Sequence, residues 1–477
     1  MTLPQTNLNA AGAYMGALRG RAKLGRTFVN STKTSGMEPL CECKRRSADE
    51  GALELKSIWL VLCCGFLVAA ANPAALWPQD IDSSALIRMH EKAPEFPGSL
   101  SSPQVSLPSL PAPVLQGGTT GIRPPQPGAE TAPETEATEP SVEWINSPPL
   151  TMSELRGKVV LIDFWEYTCI NCVRTFAENK KWYERYHKYG LEIIGVHCPE
   201  FDIAYRVSNV RAAVKRFGLL YPVVVDDHFL IWRAYHNSTW PNRFLIDAKG
   251  YIRYDRSGEG GDSALEHAIQ QLLEEAHPGL KFPSSYTFPP EKNAFAASCG
   301  VTTPEMYVGF WHGRGILSNK QGYHKGKTLN YTLPVSIEDG HAAVSGRWET
   351  DSGHDPDQSN GMIYRGKKKG DGISGDELEM RYHARQLYAV MNIERGHPER
   401  VYIRQDGKYL TQRNKGVDVQ LDAQGRSYIE VREPRMYYLT ANPKFGSHTV
   451  ELFPTRAGLT INSFTFGNDC QTAFPHL

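Results

Sequence analysis

Two cysteines three residues apart, Cys169 and Cys172, carry the clearest chemistry of this chain. They follow a strongly apolar run, residues 159–165, and precede a predicted helix. A thiol at the start of a helix meets unpaired backbone N–H groups and the positive end of the helix dipole, which favour the thiolate and lower the thiol pKa. The second thiol lies one turn further on and is close enough to close a disulfide. This spacing predicts dithiol–disulfide exchange.

Two other interpretations of such a pair are open. A zinc site would need a second Cys or His pair at ligand spacing, for which His197 and Cys198 are the only candidates. A merely structural pair is the other alternative. The position between a strand and a helix is typical of a redox motif and favours that interpretation.

Strand and helix patterns alternate through residues 142–277, the segment that must position the pair. The continuous apolar run from Lys158 to Trp165 is typical of a strand covered on both faces. Further strands are predicted at residues 191–197, 222–225, 242–247 and 251–256, with a helix after each of the first three strands of the domain and a closing helix at 263–276. Lys249 and Gly250 form a turn that makes the last two strands an antiparallel hairpin. The pattern predicts a three-layer α/β sandwich with a mixed sheet.

A different pattern follows a proline-containing link at residues 278–298. Residues 299–477 contain short alternating runs separated by turn residues such as Asp406-Gly407. Strands are predicted at residues 378–384, 387–393, 400–405, 417–421, 427–431, 436–439, 447–453 and 459–466. Strands without intervening helices predict a β-sandwich of jelly-roll type.

The aromatic residues of this sandwich have two interpretations. If exposed, they would suit stacking on a sugar, whereas aromatic residues at strand spacing more often form a core. The residues concerned are Trp311, Trp348, Tyr382, Tyr388 and Tyr437.

The N-terminal part predicts export from the cytoplasm. Residues 1–57 are basic, without an apolar period, and are predicted to be disordered. Residues 58–76 contain an uncharged apolar run and small residues, as in a signal peptide or an N-terminal membrane anchor. Residues 77–141 form a predicted Pro-rich spacer. The charge asymmetry places everything after the leader in an oxidising, extracytoplasmic (periplasmic) compartment, membrane-tethered or secreted.

Composition limits the classes of partner. Of 477 residues, Lys plus Arg and Asp plus Glu each number 52, so no net charge argues for nucleic acid. The chain contains no nicotinamide or flavin motif, and we expect neither a cofactor nor a metal. Electrons would therefore come from a membrane partner.

A family resemblance is carried by five segments: residues 160–175 (VLIDFWEYTCINCVRT), 195–201 (GVHCPEF), 240–247 (WPNRFLID), 303–309 (TPEMYVG) and 463–467 (SFTFG). They resemble the extracytoplasmic thioredoxin-like (redoxin) proteins of the DipZ type, whose C-terminal domain is similar to carbohydrate-binding modules. The resemblance covers residues 142 to about 470. The chain departs from the family pattern at Glu166, where Thr or Ala is expected, and at Cys198, where Thr is usual.

The resemblance implies a thioredoxin fold and roles for four residues. Cys169 would be the attacking thiol and Cys172 the resolving one. Asp163 would be the buried acid that takes the proton of Cys172; otherwise it is a strand-end carboxylate without a catalytic part. Pro241 would be the cis-proline that faces the dithiol, beside backbone groups that hold an extended substrate. The family also implies a reducing role.

Other residues are candidates for smaller roles. Cys198 is interpreted either as a third thiol or, more in keeping with its apolar setting, as a buried small residue. Glu166 and Glu200 are candidates for tuning the thiolate, although as surface carboxylates they would oppose it only weakly. Cys299 and Cys470 flank the sandwich domain and are predicted to form a structural disulfide worth roughly 2 to 4 kcal/mol.

Together these features predict an extracytoplasmic thiol–disulfide oxidoreductase that acts on protein disulfides through its dithiol. A thiol peroxidase of the peroxiredoxin kind is the nearest alternative enzyme. Its site uses a Pro, a Thr three residues before the cysteine and an Arg, whereas Thr168 here adjoins Cys169. A surface glycan-binding protein with a passenger redox domain is the alternative from another class.

Overall fold

The computed structural model describes residues 91–97, 142–286, 301–313, 315–351, 361–367, 375–394 and 398–467. All of them belong to one compact unit. The basic segment, the leader, most of the spacer, and Cys299 and Cys470 lie outside the described residues, so the disulfide between those cysteines stays a prediction. Within the described ranges, no helix is both long enough and apolar enough to span a membrane.

The α/β domain, residues 142–286, is built on a mixed sheet with the order β1-β4-β3-β2-β5-β6. Its strands are β1 Glu143–Ile145, β2 Val159–Trp165, β3 Leu191–His197, β4 Val223–Val225, β5 Asn242–Ile246 and β6 Ile252–Ser257. Strands β2, β3 and β4 are parallel, whereas β1, β5 and β6 are antiparallel to their neighbours. The predicted mixed sheet and hairpin are confirmed. Strand β1 was not predicted, because three residues are too few to show a period.

Four helices cover the two faces of this sheet: α1 Ile170–Tyr186, α2 Val207–Phe217, α3 Leu230–Ala234 and α4 Asp262–Ala276. Every residue of β2 and β3 is buried, as expected for strands covered on both sides. One face, which includes Trp165, packs against α1, α2 and α4. The other face, which includes Phe164 and Cys198, packs against α3. The domain therefore has the predicted thioredoxin fold.

One part of the predicted spacer is not an extended spacer but packs on the α/β domain. Residues 91–97 lie within 77–141, yet they pack on the α/β domain. The main-chain N–H of Ala93 donates to the carbonyl of Gly250. Phe96 is buried and meets the Trp144 ring edge-on at 5.4 Å. An aromatic side chain in this segment can bury apolar surface on the domain, which a uniformly polar spacer could not do.

In the described part of residues 301–467, the β domain contains twelve antiparallel strands. They are β7 Met306–Tyr307, β8 Thr328–Tyr331, β9 His341–Val344, β10 Gly346–Thr350, β11 Met362–Tyr364, β12 Leu378–Ile393, β13 Glu399–Gln405, β14 Lys408–Tyr409, β15 Gln420–Leu421, β16 Ser427–Val431, β17 Arg435–Pro454 and β18 Leu459–Gly467. The predicted all-β class is confirmed.

Strands β12 and β17 are longer than the sequence predicted. Each joins two predicted strands, and their pairing shifts register between Ala384 and Gln386 and again between Leu387 and Tyr388. Such irregularities bend a strand without ending it. The interruption of the alternating pattern therefore marks a bend and not a turn.

The two domains share an apolar core beside α1. Tyr307, Tyr388, Val390 and Met436 of the β domain are buried in the same cluster as Cys172. Polar contacts add to it, including an ion pair between Arg216 and Glu433 at 3.2 Å. The dithiol helix is thus packed against the β domain as well as against its own sheet.

Most of the candidate sugar-stacking residues belong to the core. Trp348, Tyr382, Tyr388 and Tyr437 are buried, whereas Trp311 is partly exposed. The indole N–H of Trp348 donates to the carbonyl of Ser345 at 2.7 Å. The core interpretation is therefore confirmed for these four residues.

Replacing Trp348 with alanine is expected to destabilise the β domain by about 3 to 5 kcal/mol, because it removes a fully buried ring. Phe445→Ala is the matched control, since Phe445 is 39% exposed. Its expected effect is below about 0.5 kcal/mol. Urea denaturation of the full chain measures both. Equal midpoints for the two variants would contradict the core assignment.

Candidate active site

The dithiol lies where β2 gives way to α1. Cys169 is the N-cap of α1 in an extended conformation, and its Sγ accepts a hydrogen bond from the Cys172 N–H at 3.2 Å. The two cysteines are joined in a disulfide with their Cα atoms 5.3 Å apart. Cys169 is partly exposed, whereas Cys172 is fully buried. Cys169 can therefore meet a partner molecule, while Cys172 can reach only Cys169.

The first turn of α1 favours a thiolate at Cys169. It contains no acidic residue, so the unpaired N–H groups and the helix dipole are not neutralised there. A sulfur that already accepts a backbone N–H is better placed to hold negative charge.

Pro241 lies immediately before β5, the strand beside β2. The Trp240-Pro241 peptide bond is cis, as predicted. Asn242 pairs with Phe164, so the start of β5 lies at the same sheet edge as the end of β2. The backbone next to Pro241 thus lies at the end of the sheet where the loop that carries Cys169 begins.

Asp163 is fully buried within β2, on the sheet face that packs against α1. One carboxylate oxygen accepts a hydrogen bond from Asn179 Nδ2 at 2.7 Å. Burial raises the pKa of Asp163 to about 7, although the Arg243 charge and the Asn179 hydrogen bond oppose the shift. A carboxyl with this pKa can accept a proton near neutral pH and release it again.

Arg243 and Asn179 are site residues that the sequence analysis missed. Arg243 is fully buried, pairs with Asp163 across the sheet, and forms an ion pair with Asp262 at 3.0 Å. The sequence feature that could have identified Arg243 is the presence of an arginine inside an otherwise apolar strand. Asn179 lies two helical turns after Cys172, and that spacing places both residues on one face of α1.

Glu166 and Glu200 correct the expectation of surface carboxylates, since both are buried. The Glu166 carboxylate accepts hydrogen bonds from the Thr168 N–H at 2.6 Å and from the Thr168 hydroxyl. Glu200 accepts a hydrogen bond from the Tyr307 hydroxyl of the β domain. The surface interpretation failed for Glu200 because it could not foresee the contact with Tyr307 of the β domain.

Cys198 lies on the other face of the sheet from Cys172. It is fully buried, and its thiol donates to Asp226 at 3.6 Å. Burial and the Asp226 charge raise the pKa of this thiol well above its ordinary value. This setting favours the buried-residue interpretation over that of a third reactive thiol.

The zinc interpretation gains no support from the geometry. Across the described residues, no group of three or more His, Cys, Asp and Glu side chains could hold a metal ion. The His197 ring stacks on Tyr167 and meets Trp165 edge-on.

Comparisons with known proteins agree with this geometry. Residues 303–467 match the family described as thioredoxin like C-terminal domain, and residues 129–255 match the AhpC/TSA family. Protein DipZ of Mycobacterium tuberculosis is 33% identical over 68% of this chain and 41% of its own length. The chain thus spans less than half the length of that relative.

Further matches cover shorter parts of the chain. Thiol-disulfide oxidoreductase ResA of Geobacillus thermodenitrificans is 32% identical over 27% of this chain and 68% of its own length. A solved thiol-disulfide isomerase of Corynebacterium glutamicum is 26% identical over 28% of this chain and 90% of its own, with a TM-score of 0.26.

The thioredoxin fold, its strand–CxxC–helix site and the similarity to ResA together define the class of the protein. The chain belongs to the thioredoxin-like thiol–disulfide oxidoreductases. Its combination of a redoxin domain and an all-β C-terminal domain is of the DipZ type.

Replacing Asp163 with asparagine is expected to stabilise the protein at pH 8 by roughly 2 to 4 kcal/mol. The folded-state pKa of about 7 exceeds the unfolded value, so the wild-type protein loses stability as pH rises from about 4 to about 7. Asparagine cannot ionise, so the stability of the variant does not fall over this pH range for this reason. Urea denaturation at pH 4 and pH 8 measures the difference.

The matched control for this prediction is Asp227→Asn, which changes a partly exposed carboxylate of the same domain. We expect it to show no such pH dependence. A gain from Asp163→Asn that is as large at pH 4 as at pH 8 would contradict the assigned pKa shift.

Proposed function

We propose that this oxidoreductase exchanges disulfides with extracytoplasmic proteins through the Cys169–Cys172 pair. The observation that carries the proposal is the asymmetry of the pair, with Cys169 partly exposed at the helix N-cap and Cys172 buried behind it. A dithiol arranged in this way can form a mixed disulfide with a large partner and then resolve it from within.

In the reducing direction, the Cys169 thiolate attacks one sulfur of a substrate disulfide. The substrate S–S bond breaks, a mixed disulfide forms, and the departing thiolate takes a proton. Cys172 then loses its proton to the Asp163 carboxylate and attacks Cys169 Sγ, which releases the second substrate thiolate to be protonated. Two electrons pass from the dithiol to the substrate, and a further dithiol must return them.

Pro241 and the backbone beside it are proposed to hold the substrate. Their place at the sheet edge next to the thiol loop supports this role. An extended segment can gain main-chain hydrogen bonds at such an edge without a particular side chain being required. The proposed partners are therefore protein disulfides presented on extended segments.

Location and electron supply belong to the same proposal. The apolar leader at 58–76 and the proline-rich sequence after it support an extracytoplasmic domain, tethered or secreted. A membrane protein that presents a dithiol is the proposed electron donor.

Insulin reduction by the full chain tests the proposed function. Cys169→Ser is expected to lower the catalysed rate at least 100-fold, because it removes the attacking sulfur. Cys172→Ser should accumulate a mixed disulfide at Cys169, visible by mass spectrometry without reduction. Cys198→Ala, on the opposite sheet face, serves as the matched control and should retain the wild-type rate. Wild-type activity in Cys169→Ser would overturn the proposal.

The match to the AhpC/TSA family makes thiol peroxidase the second candidate. The site argues against it, since Thr168 adjoins Cys169 and its hydroxyl donates to Glu166. We expect the full chain to consume hydrogen peroxide no faster than an unactivated thiol does. A Cys169-dependent peroxide turnover that exceeds insulin reduction would favour the peroxidase instead.

A further inference from the structure

Three carboxyl groups from two domains gather beside the thiol loop. Glu166 and Glu200 belong to the α/β domain and Glu305 to the β domain. The Tyr307 hydroxyl donates to Glu200, and Glu305 accepts a hydrogen bond from the Thr465 hydroxyl at 3.1 Å. We call these three carboxyl groups and Tyr307 the interface cluster.

The interface cluster is connected to the attacking thiol through Glu166. The carboxylate of Glu166 holds the main chain of Thr168, the residue immediately before Cys169. The main-chain carbonyl of Glu166 accepts the Cys169 N–H at 3.3 Å. Any change of charge on Glu166 is therefore felt in the loop that carries the thiol.

Unpaired polar atoms are a second, geometric feature of this cluster. Glu166 Oε1 has no hydrogen-bond partner among the described residues and lies 3.8 Å from Nε2 of the fully buried His197. Neither ring nitrogen of His197 has a hydrogen-bond partner among the described residues. Buried polar atoms without hydrogen-bond partners are costly, so the Glu166 carboxylate is incompletely compensated by its surroundings.

The electrostatic setting is consistent with such a proton. Burial raises the pKa of Glu200 well above its ordinary value, and the charges of Glu305 and Glu166 raise it further. Burial raises the pKa of Glu305 to about 7, against the hydrogen bonds of Thr465 and Tyr307. Burial thus favours the protonated form of both carboxyls, and Glu305 can exchange a proton near neutral pH.

Other titratable and charged groups face the cluster from the elements packed against it. Tyr167 stacks on His197, and burial and Glu166 raise its pKa. The His312 ring lies 5.5 Å from that of Tyr307, and burial lowers the pKa of His312. The cations that act on Tyr167 are Arg206 and Arg216. The interface cluster itself receives no direct ion pair from them in the described structure.

We propose that Glu305 and Tyr307 of the β domain are positioning residues of the redox centre, which with Glu166 and Glu200 hold a proton that is exchanged as the dithiol is reduced and oxidised. The proposal rests on the function proposed for Cys169 and Cys172. It makes the β domain part of the redox machinery and not only a separate binding module.

The coupling follows from charge balance. Reduction of the Cys169–Cys172 disulfide by a donor dithiol brings two electrons and two protons. One proton stays on the Cys172 sulfur. When Cys169 remains a thiolate, its negative charge raises the proton affinity of the nearby carboxyls, and the cluster takes up the second proton. Ionised carboxylates in turn oppose the thiolate, which makes the dithiol a stronger reductant.

The test is the pH profile of Cys169 alkylation by iodoacetamide in the reduced full chain, followed on the Cys169 peptide by mass spectrometry. Glu305→Gln is expected to lower the midpoint by about 0.5 to 1 pH unit, because it removes a negative charge. Tyr307→Phe keeps the ring but removes the hydrogen bond that lowers the pKa of Glu200, so the ionised form of Glu200 is disfavoured further and the midpoint should shift in the same direction.

Glu377→Gln is the matched control. Glu377 is a β-domain carboxyl whose pKa burial also raises to about 7, but its charged neighbours are Glu451, Glu379 and Arg404. Its profile should superimpose on that of the wild type. Wild-type profiles in folded Glu305→Gln and Tyr307→Phe would overturn the inference, even if insulin reduction depends on Cys169 as proposed.

A measurement on the wild-type chain does not depend on the folding of any variant. The reduced-minus-oxidised infrared difference spectrum should show a gain in the protonated-carboxyl C=O band. Asp163→Asn identifies any part of the band that comes from that residue. A spectrum in which no carboxyl signal remains after this correction would overturn the inference, whereas loss of insulin activity alone would count only against the proposed function.

Discussion

Burial of ionisable side chains around the N-terminus of α1 is the constraint on which the redox site depends. Asp163 lies under α1, where it meets Asn179 of that helix and Arg243 of β5, and Glu166 lies buried in the loop that leads to Cys169. At Asp163 the charged form of the carboxyl is disfavoured, so protonation becomes possible near neutral pH. The same burial leaves Cys169 as the partly exposed member of the dithiol.

The β domain contributes to this burial. Its Tyr388 ring stacks on Tyr438 and lies 5.9 Å from the guanidinium of Arg174, a residue of α1 that also pairs with Glu259. Tyr307 enters the same core as Cys172. A domain that closes the apolar core of its neighbour affects the dielectric environment of the dithiol, whatever else it binds.

The sequence was most informative where chemistry and local structure coincide. A continuous apolar strand, two thiols at helical spacing and the Lys249-Gly250 turn each reflect contacts within about 20 residues of chain, and all three elements have the predicted structure. The burial of Glu200 could not be predicted in this way. It depends on Tyr307, more than 100 residues later in the chain, and no local period reports such a contact. Arg243 was overlooked for a different reason: an arginine inside an apolar strand is a signal, but it does not identify the partner, and Asp262 lies on another element.

The central claim is that Cys169 and Cys172 form the redox couple of this enzyme. A titration of the full chain in glutathione buffers, with every cysteine mapped by mass spectrometry after trapping with acid and alkylation, tests it most directly. The account predicts that Cys169 and Cys172 lose their thiols together as a two-electron couple, with a slope of about 30 mV per tenfold change in ratio. Cys198 should remain a thiol throughout. Independent titration of Cys169 and Cys172, or a Cys198 that oxidises with either of them, would contradict the account.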